Sequence, residues 1–244
     1  MSNGWNTFVT DFRFVFIQDD RWKSLFQGLG NTLVITFFAV MIGIVLGAIV
    51  ATVRTTYDKN NGDMKKRNPV GFYILSIANV ICKLYLTVIR GTPVVVQLLI
   101  MYFVIFGSSR IDKVPVAILA FGINSGAYVA EIFRSGIQSV DKGQMEAARS
   151  LGMPYWRAMR RVVLPQAIRT MIPSIINQFI ITLKDTSILS VIGFPELVNT
   201  AKNVVAITYK SAQVWFIEGV MYLVIITILS RVAKLVERRL NRGR

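Results

Sequence analysis

Residues 33–53 read LVITFFAVMIGIVLGAIVATV, 21 consecutive positions without a charged side chain. As an α-helix such a run is about 30 Å long, the thickness of one bilayer hydrocarbon core. Gly43 and Gly47 stand four apart on one face of it, a spacing that lets a second helix approach closely. The rest of the 244-residue chain agrees with this run. It is 53% hydrophobic and only 17% charged, whereas a soluble domain carries about a quarter charged residues. Its mean hydropathy is +0.52. The fold class expected is therefore an all-α integral membrane protein. Disordered chains, collagen-like chains and most soluble enzymes are excluded.

Four further spans follow by the same criterion. Pro69 to Phe106 is apolar but interrupted by Lys83 and Arg90. Its first part, to about Ile89, is expected as a helix near the cytoplasmic face. The second span proper is expected to start at Thr92-Pro93, since Thr caps helices and Pro is favoured in their first turn. Val114 to Ala130, Arg169 to Gly193 and Val214 to Ser230 are the third, fourth and fifth spans. Pro195 to Ala212 reads as an amphiphilic loop.

Five spans place the two termini on opposite sides. With the N-terminus outside, the inner segments hold 18 Lys and Arg and the outer ones 7. The inner loop 54–68 supplies Lys59, Lys65, Lys66 and Arg67, balanced only by Asp58 and Asp63. This bias predicts an N-out, C-in orientation. It also accounts for the net charge of +15 without nucleic acid as a partner. The first 30 residues mix charges with Trp5, Phe8, Phe12, Phe14, Phe16, Trp22 and Phe26, and they lack the layout of a cleaved signal peptide. Residues 1–27 are expected as an amphipathic segment on the outer interface. Residues 28–235 form the transmembrane domain, and 236–244 a basic cytoplasmic tail.

The segment between spans three and four is too charged to cross a membrane. It runs Glu146-Ala147-Ala148-Arg149-Ser150-Leu151-Gly152, nine further residues, then Val162-Val163-Leu164-Pro165. Gln144 to Leu151 suits a short helix, which Gly152 can stop in a left-handed conformation. Ala147 and Ala148 are small enough for a partner to approach. Leu164-Pro165 is expected to end a second short helix and turn the chain back to the membrane. This ordered spacing resembles the EAA loop of bacterial ABC-transporter importer permeases, with Val162 in place of the usual Ile. Arg90-Gly91-Thr92-Pro93, the stretch 127–134 (AYVAEIFR), Gly143-Gln144 and the stretch 183–187 (LKDTS) look like the branch that takes up polar amino acids. The resemblance covers roughly residues 28–235.

The resemblance implies a MetI-like fold that works as a pair, a homodimer or a heterodimer with a second permease, in the bacterial plasma membrane. It also implies two ATP-binding subunits inside and an amino-acid-binding protein outside. The EAA loop would be the coupling helix, with Glu146, Ala147, Ala148 and Gly152 docking into the ATPase and Leu164 and Pro165 setting the exit angle. The chain itself carries no GxxxxGK[ST] phosphate loop, so ATP and Mg²⁺ belong to the partner ATPase and no cofactor is expected here.

Polar residues inside spans are costly and mark candidate pathways. Asn177, Gln178, Thr182, Lys184 and Asp185 fall within about 160° of arc on span four. Lys184 and Asp185 suit the two charged groups of a free amino acid, or else neutralise each other or cap helix ends structurally. Glu218 reads as an interface anchor near the outer end of span five, and Arg90 as a partner for Glu131. No catalytic residue and no metal ligand set is expected: the chain has no histidine, and its single Cys82 reads as a packing residue. Two other functions fit a small polytopic protein. One is an ion-driven secondary transporter, although no internal repeat is visible. The other is a membrane scaffold for a cytoplasmic protein. Acidic, basic, amide and sulfur-containing amino acids all remain open as cargo.

Overall fold

The computed structural model describes residues 2–60, 68–108 and 111–241. Asp63, Lys65, Lys66 and Arg67 of the basic loop lie outside the described residues, as do residues 242–244 of the tail and the side chains of Trp5 and Phe8. The helices in chain order are α1 (Ser2–Phe16), α2 (Arg21–Asn60), α3 (Pro69–Gly91), α4 (Val94–Leu99), α5 (Lys113–Gln138), α6 (Lys142–Ser150), α7 (Tyr155–Ala158), α8 (Leu164–Asp185), α9 (Leu197–Thr208) and α10 (Ser211–Asn241). Among the described residues there is no strand. Five stretches are long and apolar enough to cross a membrane: Gln18–Lys59, Pro69–Gly91, Lys113–Gln138, Tyr155–Ile192 and Ser211–Leu240.

The centre of the molecule is the crossing of α2 and α5. Gly43 lies against Ser125 and Gly47 against Val129, while Gly122 of α5 lies against Ile42 and Ala39. The two helices run in the same direction, as a first and a third span must. Each contributes a pair of glycines four apart, Gly43 and Gly47 on α2 and Gly122 and Gly126 on α5. Without Cβ atoms the backbones come close enough for dispersion to hold them. Beside this crossing, Ile35, Ala39, Leu98, Ala117, Phe121 and Leu189 form a buried apolar cluster.

The second span differs from expectation. The stretch that satisfies the length criterion is Pro69–Gly91, about 34 Å of helix; Val94–Ile105 is too short to cross alone. Lys83 and Arg90 interrupt the hydropathy without breaking the helix, because both side chains are exposed on its surface. The helix ends at Gly91, and Thr92 and Pro93 are extended (ψ 149° and 137°). The short piece α4 then carries Leu98 into the central cluster. It continues as a π-helical turn, Ile100–Ile105.

At the other end, α1 is more than an interfacial strip. Its Val15 is fully buried in a cluster with Leu25, Leu197, Val204, Val214 and Ile217. Asp11 accepts hydrogen bonds from Lys210 Nζ (3.0 Å) and Gln213 Nε2 (3.1 Å). The amphiphilic loop expected at Pro195 to Ala212 is in fact largely the helix α9. Glu196 caps it: its carboxylate accepts from the backbone N–H groups of Val198 (2.8 Å) and Asn199 (2.7 Å). The residue is wholly buried. Burial pushes its carboxyl up to about 7, against the two N–H groups and Lys202, with Glu218 adding to the rise. A folded value raised above the ordinary carboxylate range gives stability that is full below about 4.5 and lost as pH climbs through about 7. The thermal midpoint of the purified protein is therefore expected to fall between pH 5 and 8. Glu196→Gln is expected to flatten that decline, and an equally steep decline in the variant would contradict the assignment.

Candidate functional site

The segment joining α5 to α8 is built from short helices with defined ends. Asp141 starts α6, its Oδ1 accepting from Gly143 N–H at 2.6 Å. The helix stops where Gly152 takes φ +80°. Gly152 N–H then reaches Arg149 O (2.9 Å) and Met153 N–H reaches Ala148 O (3.2 Å). This paired arrangement closes a helix on a left-handed residue. Glu146, Ala147, Arg149, Ser150 and Gly152 are exposed, Leu151 is 81% exposed and Trp156 63%. A large leucine and a tryptophan held in the open at a sharp turn make a surface suited to a protein partner. Ala148 departs from the expectation that both alanines face outward. It is 5% exposed and packs inward.

Leu164 and Pro165 also depart from expectation. They do not end a helix. The chain is continuously helical from Tyr155 to Asp185, passing through a π-helical turn at Met159–Val163. Pro165 sits two residues past that turn. Its missing N–H and ring are tolerated because the wider turn already shifts the hydrogen-bond register there. Leu164 is half-buried and Pro165 exposed. A cavity of about 560 Å³ separates α6 from the ends of α2 and α5, lined by Asp58, Lys59, Arg134, Asp141, Lys142 and Glu146, among others. The EAA-like helix therefore lies at the same end of the bundle as the C-terminus of α2.

The polar stripe on α8 divides. Gln178 and Thr182 are buried and joined, Nε2 to Oγ1, at 3.3 Å. Asn177 and Lys184 are exposed, and Asp185 is half-buried. Among the described residues no ion pair joins Lys184 to Asp185. Asn177 and Gln178 line an open concavity of about 550 Å³ with Tyr128, Glu131, Ser135 and Ser174. Thr182, Lys184 and Asp185 are not part of its wall. Glu218 is not an interface anchor: it is 6% exposed, and its Oε2 has no hydrogen-bond partner among the described residues.

Arg90 does meet Glu131, at 3.5 Å, but Arg134 of the same helix holds that carboxylate more closely, at 2.9 Å. One residue, Gln97, was not singled out from the sequence. Gln97 donates to Ile89 O (2.8 Å) and to Thr92 O (3.1 Å), and accepts from Asn124 Nδ2 (3.0 Å). It thereby satisfies carbonyls that the break at Gly91 leaves open, in a medium where orphaned backbone groups are costly. An amide four residues after a proline break is the signal that could have found it.

Residues 69–242 match the family described as the binding-protein-dependent transport system inner membrane component. The glutamine transport system permease protein GlnP of Escherichia coli strain K12 is 36% identical over 220 residues, covering 89% of this chain and 93% of the relative. The L-cystine transport system permease protein TcyB of Bacillus subtilis strain 168 is 36% identical over 228 residues, covering 93% and 90%. A crystal structure of an amino acid ABC transporter with histidines superposes with a TM-score of 0.77 at 39% identity, covering 89% of this chain and 94% of that one. An inward-facing MetNI methionine ABC transporter shares the fold, with a TM-score of 0.73 at 18% identity. The five apolar spans, the exposed knob at Glu146 to Gly152 and these likenesses together lead to one assignment: the chain belongs to the inner membrane components of binding-protein-dependent transport systems, among the amino-acid permeases.

Proposed function

We propose that this permease forms the membrane path of an ATP-driven importer for polar amino acids and that it works in a pair. Two separate ATPase subunits bind ATP and Mg²⁺, and an external binding protein delivers the cargo. The observation that carries this reading is the exposed, glycine-stopped turn at Glu146 to Gly152, placed at one end of the bundle in a chain that has no phosphate loop of its own. Glu146, Ala147 and Gly152 dock on the ATPase, Ala148 anchors α6 to the bundle, and Leu164 and Pro165 sit where the π-helical turn passes movement into α8. ATP-driven closure shifts the pair between two states, and the cargo path opens first outward, then inward. Asn177 and Gln178, beside Glu131, are the pathway residues favoured by geometry. Thr182 supports Gln178, while Lys184 and Asp185 act away from that concavity.

The reading requires the N-terminus outside and the C-terminus in the cytoplasm, as the distribution of Lys and Arg predicts. Cysteine labelling on a Cys82→Ser background tests this. Leu151→Cys is expected to be shielded from a membrane-impermeant maleimide added to whole cells. Tyr209→Cys, at a residue 88% exposed, is expected to react. The complex reconstituted with its binding protein is expected to accumulate labelled glutamine or cystine only when ATP is enclosed. Accumulation driven by an ion gradient without ATP would refute the proposal, as would labelling with the two sides reversed.

A further inference from the structure

A third cavity, of about 440 Å³, lies beside the α2–α5 crossing and is lined by Arg54, Lys83, Leu86, Thr87, Arg90, Gly91 and Glu131. Three cations face one carboxylate there. That carboxylate already holds Arg90 and Arg134. Arg54 and Lys83 have no ion pair among the described residues. The Arg54 Nε is buried without a hydrogen-bond partner. Uncompensated cations in a membrane-spanning bundle call for an anion.

The surroundings say what kind of anion. Along α3, toward its C-terminus and away from the EAA-turn end, the flank of the cavity is apolar and open: Leu84 is 63% exposed and Val88 48%. The start of α3 lies at the α2 C-terminal end, where Phe72 stacks on Tyr57 with centroids 6.3 Å apart. Helical side chains lean toward their own N-terminus. Lys83 and Arg90 therefore reach toward the end of the bundle that carries the EAA-like turn. Arg54 comes from the last turns of α2 at that same end. Charge converges at one membrane boundary, with hydrocarbon-compatible surface directly beside it.

We propose that this pocket binds the phosphate of an anionic phospholipid from the leaflet on the EAA-turn side, with its acyl chains along Leu84 and Val88. A zwitterionic headgroup brings its own cation into a basic pocket and is disfavoured; a phosphatidylglycerol headgroup is not. The inference depends only on the chain being embedded in a bilayer, not on its cargo or direction of transport.

The test is lipid titration of the purified full-length permease, with bound lipid counted by native mass spectrometry. Phosphatidylglycerol is expected to bind at least tenfold more tightly than phosphatidylcholine of the same chains. The Arg54→Gln/Lys83→Gln double variant is expected to lose that preference. A Lys234→Gln/Arg238→Gln control, on the C-terminal helix, is expected to keep it. Monodispersity and thermal midpoint verify that each variant is folded. Unchanged preference in the double variant overturns the proposal, and so does equal loss in the control. Displacement of phosphatidylglycerol by millimolar free glutamine would assign the pocket to a soluble carboxylate instead. Occlusion of the face by a second copy, with no lipid bound, would also overturn it.

Discussion

Ala147→Trp is expected to abolish binding-protein-stimulated ATP hydrolysis, with at least a tenfold loss, while leaving the permease folded. Ala147 is exposed on α6, and an exposed substitution away from caps and packing changes stability by no more than about 0.5 kcal/mol. A tryptophan there adds bulk where a docking partner has to come close. The thermal midpoint of the isolated permease should not move, and ATPase subunits should co-purify poorly. Two neighbouring substitutions act as internal controls. Ala148→Trp places the same bulk into a buried site and is expected to unfold α6 locally. Gly152→Ala adds a Cβ that meets nothing within 4 Å, so its cost is only that of holding a left-handed backbone at φ +80°, about 1 to 2 kcal/mol. Undiminished stimulation in Ala147→Trp would remove the coupling role from this helix.

Gly47→Leu is expected to have the largest effect on folding. A Cβ at Gly47 would lie 2.7 Å from Val129 Cγ1, 2.8 Å from Val129 Cβ and 2.9 Å from the Ala130 backbone nitrogen. None of these atoms is the far end of a flexible chain. Val129 is β-branched and fully buried, and Ala130 N belongs to the helix backbone. The helices must separate, which opens the packing along the whole α2–α5 seam. Overpacking in a tight core costs about 1 to 3 kcal/mol, and an added isobutyl group lies at or above the upper end. The expected outcome is a thermal midpoint lowered by ten degrees or more, roughly, with reduced accumulation in the membrane. Gly30→Leu is the control, because a Cβ at Gly30 meets nothing within 4 Å. A midpoint for Gly47→Leu equal to that of the control would disprove tight packing at this seam.

Much of the site was legible before any tertiary contact. The Gly152 stop is a local matter: a helix that must end needs a residue tolerant of positive φ, and only glycine adopts it freely. The Gly43 and Gly47 pair was legible for a different reason, the missing Cβ atoms four residues apart on one helix face, and the equivalent pair Gly122 and Gly126 met that criterion without being singled out. The polar stripe on α8 was legible only as a set of residues. A helical wheel places Asn177 and Gln178 about 100° apart, and it contains nothing to say that Gln178 packs inside while Asn177 faces the open. That depends on where α5 lies. Pro165 misled because a proline normally ends a helix, and the π-helical turn that accommodates it has no sequence marker.

The sequence by itself determined that this chain is a bundle of five apolar spans with a basic bias to one side and a short, glycine-stopped helix between the third and fourth. Those properties are read along one dimension, since hydrocarbon thickness and backbone φ are set by consecutive residues. Only the tertiary structure decided that the helix before the break at Gly91, and not the piece after it, is the second span, that Gln97 ties the break, and that α1 is anchored to the α9–α10 corner through Asp11. It also decided that Ala148 points inward and that Arg54, Lys83 and Arg90 share one pocket. Each of these depends on residues far apart in the chain meeting in space, and local hydropathy and propensity carry no term for such meetings.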